Sequence, residues 1–233
     1  MHILVTHLRL ANMKKTFKIN RKIAPFNKIL SMEGDKSLSI RWVLLASQAN
    51  GKSTATNLLM SEDVISALRC IKRLGIKVKV ASGNCEINGN GLNGYKYKKN
   101  LTLDAGNSGT LGRLIMGLLV HSKFNIRLIG DKSLSKRDFS RVTAPLELFG
   151  AKFKTNYGKL PITINGTDFT KPINYYENKG SAQCKSSVML AALNTAGATI
   201  IKAKKSRNHT ELLYKYLKLP IKVDKKKKYD LIT

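Results

Sequence analysis

Acidic residues are scarce in this chain: 14 Asp and Glu stand against 42 Lys and Arg in 233 residues, a formal net charge of +28. Such a field draws anions and raises their encounter rate, so nucleic acid, anionic lipid and phosphorylated metabolites are the partners that charge alone admits. Cysteine is rare too. Cys70, Cys85 and Cys184 form no CxxC pair, which argues against a disulfide framework or a zinc site and for reduced thiols in a cytoplasmic protein. The four histidines, His2, His7, His121 and His209, show no metal-ligand spacing, and no metal is expected. No apolar run approaches the length of a membrane span. The opening MHILVTHLRLANMKK is too short and too interrupted for a signal peptide. Met13, followed by two lysines, is an alternative start, with residues 1–12 an upstream extension. Aromatics make up only 7%, too few for the interleaving of rings and cations that marks a dedicated single-strand binder. Tyr95, Tyr97, Tyr175 and Tyr176 do lie near lysines, which admits weak, salt-sensitive and non-specific nucleic-acid binding.

What is present is an ordinary globular content, 42% apolar, in a length that suits one large domain or two small ones. Residues 46–54, ASQANGKST, end like a phosphate-binding P-loop. Ala46, however, stands where the first glycine must be, and the motif requires a strand before it and a helix after it. The preceding run Trp42 to Ala46 reads as the body of a helix, so the expectation is a helix closed by Gly51 before a polar turn.

Three segments share one plan, each about 70 residues long. They begin GDKSLSIRWVLLASQ, GNSGTLGRLIMGLLV and GSAQCKSSVMLAALN, with Leu45, Leu119 and Ala192 in matching places. Each has a small polar cluster, then an apolar run of helical period, as in Leu111, Leu114, Ile115, Leu118 and Leu119. A short strand follows (NIRLIG, ATIIKA), then a second helix. Val64, Leu68, Ile71 and Leu74 share a face of that helix in the first segment, with Gly75 as its terminator; Gly150 and Pro220 occupy the equivalent ends. Alternating strands across Gly- and Asn-rich turns complete each unit. The reading is an α+β fold of three βαβαββ units, amphipathic throughout and arranged around a pseudo-threefold axis. The proposed boundaries are an extension and first-strand region at 1–24, then one domain at 25–233, divided near 25–100, 101–170 and a truncated 171–233.

The three first helices open on Gly34-Asp35-Lys36-Ser37, Gly106-Asn107-Ser108-Gly109-Thr110 and Gly180-Ser181-Ala182-Gln183. Polar residues there cap helices, and each capped N-terminus favours an anion. Lys36, Arg41, Arg113 and Lys185 lie within the first turn or two, where a cation opposes the helix dipole unless it meets a negative ligand. The conflict points to a site for phosphates or carboxylates.

The ordered motifs GDKSLSIR, LDAGNSGTLGRL, GDKSLSKRDFSRVTAPLELFGA, GSAQCKSS and SRNHTELL, spanning roughly residues 25 to 225, closely resemble the 5-enolpyruvylshikimate-3-phosphate (EPSP) synthase family, and the match is to its N-terminal half. The resemblance implies a two-domain enzyme, a monomer when complete and without a cofactor, that moves the enolpyruvyl group of phosphoenolpyruvate to the 5-hydroxyl of shikimate 3-phosphate. It implies that Lys36, Ser37, Arg41, Ser181, Ala182, Gln183 and Ser206 bind shikimate 3-phosphate. It implies further that Lys36, Gly109, Arg137 and Gln183 bind phosphoenolpyruvate, with Asn107 and Arg113 in support and Lys36 catalytic. The family's acid–base carboxylates belong to the other half, so the chain alone is expected to be inactive. Glu62 and Asp63 read as caps of the second helix, and Glu147 and Glu211 as solvated helix residues. The sequence departs from the family at Asp138, where proline is usual, and at Gly112, inside a helix. Asp138 either pairs with Arg137 or points away. The weighed alternatives are a UDP-N-acetylglucosamine enolpyruvyl transferase, disfavoured by Ser37 where asparagine is usual, and a basic nucleic-acid-binding protein.

Overall fold

The computed structural model describes residues 18, 20–22, 24, 25, 27–81 and 84–233. His2, His7 and the choice between Met1 and Met13 lie outside them, as does most of the proposed 1–24 extension. Two compact units are present, Met1–Met32 and Glu33–Thr233. The described residues of the first are exposed and carry no helix or strand. Among the described residues, the second holds all the regular structure.

That unit opens with α1 (Lys36–Gln48), β1 (Asn50–Thr56), α2 (Glu62–Arg73), β2 (Lys77–Ala81) and β3 (Asn84–Asn90). It continues with β4 (Leu101–Asp104), α3 (Gly109–Leu118), β5 (Ile126–Ile129), α4 (Ser140–Glu147), β6 (Lys152–Asn156) and β7 (Lys159–Asn165). It ends with β8 (Asn174–Glu177), α5 (Ala182–Leu193), β9 (Ile200–Lys204), α6 (His209–Tyr216), β10 (Val223–Lys225) and β11 (Tyr229–Ile232). The sheets are ordered β1-β3-β2, β4-β5-β7-β6 and β8-β9-β11-β10. In the second and third sheets the opening pair, β4 with β5 and β8 with β9, is parallel and the other pairs are antiparallel. The first sheet shows the same order without an opening strand among the described residues, and both its pairs are antiparallel. Among the described residues no helix is long and apolar enough to cross a membrane.

The second helices follow their sequence pattern. In α2 the first turn carries Glu62 and Asp63 and the last turn Lys72 and Arg73, charges that complement the helix dipole at both ends. Val64, Leu68, Ile71 and Leu74 form its buried face, and Gly75 closes it at a φ of +87° that L side chains rarely adopt.

The first helices depart from the amphipathic expectation. Buried residues run almost without a break through Ser39–Gln48 of α1, Gly109–Leu118 of α3 and Cys184–Ala191 of α5. A helix apolar on most faces belongs in the middle of a core, and these three lie there while the amphipathic second helices cover them. Gly112 has a packing reason inside α3: a Cβ there would lie 3.3 Å from the ring of the fully buried Phe139.

The GKST segment corrects a second expectation. Helix α1 ends at Gln48, its cap Ala49 is extended, and Asn50–Thr56 is a strand rather than a turn. Gly51 does not close the helix; it pairs with Gly89 in the register that sets Asn50 against Asn90 and Thr56 against Asn84. Alternation of half-buried and exposed residues along β1 is the period-two signal of a strand with one covered face. It is hidden in sequence because the covered residues are small or polar. Helix followed by strand is the reverse of the order a P-loop needs.

Candidate functional site

Three helix starts are built alike. Asp35, Ser108 and Ser181 are the N-caps, and each side chain accepts a hydrogen bond from the N–H three residues on: Leu38 at 2.8 Å, Leu111 at 3.2 Å and Cys184 at 3.3 Å. Such a cap leaves the first N–H groups of the helix without a partner in their own helix, at the positive end of its dipole. The first two residues of all three helices, Lys36 and Ser37, Gly109 and Thr110, Ala182 and Gln183, line one cavity of about 360 Å³. Arg41, Asp63, Asn107, Arg137, Arg207 and His209 complete the lining. Four cations, Lys36, Arg41, Arg137 and Arg207, stand in the lining against the single carboxylate of Asp63.

Arg41 is the buried anchor of this charge, with only 5% of its surface exposed. Its Nε donates to Thr210 Oγ1 at 2.7 Å, Nη1 to the Ser37 carbonyl at 3.0 Å and Nη2 to Ser186 Oγ at 3.1 Å. Burial lowers its pKa, an effect that the Glu211 carboxylate partly opposes. Lys36 lies 3.6 Å from Asp63, both of them partly solvated, so the pair orients the ammonium more than it stabilises the fold. Arg137 is exposed and donates to Asn107 Oδ1 at 3.4 Å.

Arg113 stays outside the lining. It donates to Gln183 Oε1 at 2.9 Å, to the Gly109 carbonyl and to the Asp138 carbonyl, and stacks over Phe139 at 5.0 Å. Gln183 Nε2 in turn donates to Thr110 Oγ1 at 3.0 Å. Helix α3 thus holds the Gln183 amide from both of its ends.

Ser181 and Ser206, like Arg113, are not in the lining. Ser181 is committed to its cap and also donates its N–H to Glu177 Oε2 at 3.0 Å. Ser206 Oγ is buried and makes no hydrogen bond within the protein, while its neighbour Arg207 reaches the cavity. Asp138 points away from Arg137: its Oδ1 accepts from Ser140 N at 2.8 Å at the start of α4, which holds its pKa below the usual carboxylate range.

Lys185 and Glu211 correct two readings. Lys185 does not face the cavity but is wholly buried, 2.5 Å from Glu211, and Glu211 is itself buried rather than solvated. Glu147 is exposed, as expected. Sequence reasoning missed Asp63, Thr110, Arg207 and His209 as lining residues. The last two stand inside the SRNHTE motif and were within reach. Asp63 was masked by its other role, since an acid in a helix's first turn needs no further explanation.

Three capped helix ends and four cations around one cavity, on an enolpyruvyl transferase-like α+β fold, make an environment that favours negative charge. Residues 20–233 match the family model of EPSP synthase (3-phosphoshikimate 1-carboxyvinyltransferase). The chain belongs to that family. It is 44% identical over 200 residues to the 3-phosphoshikimate 1-carboxyvinyltransferase of Ruthia magnifica subsp. Calyptogena magnifica, covering 85% of this chain and 46% of that protein. Identity to the enzyme of the same name from Streptococcus mutans serotype c is 38% over 212 residues, covering 90% and 49%. The solved EPSP synthase of Acinetobacter baumannii superposes with a TM-score of 0.80 at 33% identity, covering 88% of this chain and 46% of that one. The chain thus spans about half the length of the curated relatives it matches.

Proposed function

We propose that this chain supplies the shikimate 3-phosphate side of an enolpyruvyl transfer site, together with part of the phosphoenolpyruvate side. The observation that carries the reading is the convergence of three helix N-termini and four cations on one cavity. Arg41, Ser37, Lys36, Ala182 and Gln183 take the shikimate ester, with Arg207 and Ser206 at its 3-phosphate and Ser181 fixing the start of α5. Arg137, Gly109, Lys36 and Gln183 take phosphoenolpyruvate, steadied by Asn107 and Arg113. Arginine forks suit phosphate and carboxylate oxygens, and two anions meet in one cavity only if their charges are neutralised. Lys36, assigned to both groups, would also stabilise charge developing on the tetrahedral adduct, worth ~3 kcal/mol for a well-placed donor.

The one carboxylate in the lining, Asp63, is paired with Lys36, and the resemblance puts the family's acid–base carboxylates in the other half. Binding without turnover is the expected behaviour of the chain alone: steady phosphate release in a coupled assay contradicts it. A thermal shift at moderate salt tests the ligand. Shikimate 3-phosphate at about 100 times its Kd stabilises by ~2.7 kcal/mol, whereas a UDP-amino sugar or an oligonucleotide leaves the midpoint within error. Equal shifts from all three reduce the site to a general anion trap.

Gly109→Ala separates the two sides of the site. The added Cβ would lie 2.9 Å from Arg113 Nη1, which is held by Gln183 Oε1 and the Gly109 carbonyl, and 3.0 Å from Arg137 Nη1, the end of an exposed side chain. The fold therefore survives while Arg137 swings away and Arg113 shifts slightly. Phosphoenolpyruvate affinity, titrated at saturating shikimate 3-phosphate, is expected to fall roughly 10-fold, the worth of one weakened charge-assisted bond. Shikimate 3-phosphate affinity stays within about 3-fold. Equal losses for both ligands refute the separation.

A further inference from the structure

The buried Lys185–Glu211 pair is not explained by stability. Lys185 sits in the first turn of α5, where a cation opposes the helix dipole, and both side chains are almost entirely withdrawn from water. Well-packed apolar side chains in place of such a pair are often neutral or stabilising. Its surroundings suggest another use. Glu211 lies in the first turn of α6 beside Thr210, the hydroxyl that receives Arg41 Nε, and Lys185 lies beside Ser186, which receives Arg41 Nη2. Ser186 and Thr210 also bond each other at 2.6 Å.

Every acceptor of Arg41 is therefore neutral. Three of the five N–H groups a guanidinium carries are used on Thr210, Ser37 and Ser186, and the residue still lines the cavity. The groups acting on it electrostatically are Glu211 from α6, Arg207 from the preceding loop and Asp35 from the start of α1. Glu211 is the one that is buried nearby with an oxygen to spare: Oε1 is engaged by Lys185 in an ion pair, while neither Oε2 nor Lys185 Nζ makes a hydrogen bond. A carboxylate in that place would take the free N–H groups of Arg41 if nothing held it.

Resting on the proposed substrate reading, we propose that Lys185 is a positioning residue: by clamping Glu211 it keeps that carboxylate off Arg41, so that Arg41 stays open to an anion in the cavity. At one remove, Glu211 still offsets the buried positive charge of the unliganded site. The arrangement balances the cation without filling its ligand position.

The test is calorimetric titration of shikimate 3-phosphate, with inorganic phosphate as a second probe, into the full chain and its variants, each paired with a denaturation midpoint. Lys185→Met frees Glu211 and is expected to weaken both ligands at least 10-fold. Lys185→Met combined with Glu211→Gln removes both charges and is expected to bind as tightly as the wild type or more tightly, while its unliganded midpoint falls. Affinity and stability moving in opposite directions is a pattern that a merely structural pair does not produce. Should Lys185→Met fail to fold, Glu211→Gln alone decides: retained or improved affinity supports the proposal and lost affinity overturns it. A double variant that loses binding, or a folded Lys185→Met that binds like the wild type, overturns the clamp while leaving the substrate reading intact. A wild-type chain that binds neither probe overturns both.

Discussion

Arg41→Met lowers the affinity for shikimate 3-phosphate by about 100-fold, the largest loss expected of any single change in the cavity. A charge-assisted hydrogen bond contributes ~1.5–3 kcal/mol, and ~2.7 kcal/mol corresponds to that factor. Arg41 reaches this worth because it is 5% exposed and fixed by three neutral acceptors on α1, α5 and α6. It meets a ligand already desolvated and oriented. Methionine fills similar volume, and Ser186 and Thr210 keep each other as partners, so the fold is expected to persist. Lys at this position keeps the charge but loses the fork, and an intermediate affinity is expected. Calorimetric titration checks the series; a methionine variant that binds within a few-fold of the wild type removes Arg41 from the ligand shell.

Gly117→Ala has the largest expected effect on stability, a loss of about 3 kcal/mol in urea denaturation, the upper range for overpacking a core. A Cβ at Gly117 would lie 2.2 Å from the Ser187 carbonyl oxygen and 3.2 Å from Leu190 Cβ. The near obstacle is backbone, so no rotamer relieves it; α3 and α5 must separate. The same seam carries the bonds that shape the cavity, from Gln183 to Thr110, from Arg113 to Gln183 and from Ser187 Oγ to the Arg113 carbonyl. A folded Gly117→Ala chain should therefore also bind its anion less tightly. Unchanged stability would show that the two helices do not meet as closely as described.

The elements that sequence made plain are those with an uninterrupted local signal. Helix α2 has its apolar face, its charged ends and Gly75 all pointing to one answer, and α4 closes toward Gly150 in the same way. Strand β1 was illegible because NGKSTAT lacks β-branched apolar residues and carries two turn formers, yet pairing with β3 overrides those preferences. The burial of α1, α3 and α5 on most faces was equally hidden. Their sequences are apolar enough for it, but period alone does not distinguish a helix covered on one side from one covered on several.

The site divides along the same line. Lys36, Ser37, Gly109, Ala182 and Gln183 are legible because a cap motif and a helix start are local, and the threefold recurrence hints that their ends share a target. Lys185 was misread as a cation at the anion site and Glu211 as a solvated helix residue; they are 26 residues apart in sequence and become partners only when the fold brings the start of α6 against α5. By itself, the sequence determined the recurring element order, the capped helix starts and the excess of cations, each set by neighbours within a turn or two of chain. Tertiary structure alone decided which cations face the cavity, which carboxylate lies beside them and which buried lysine holds it. Those choices depend on contacts between helices distant in sequence, where burial converts weak surface charges into strong, directional ones.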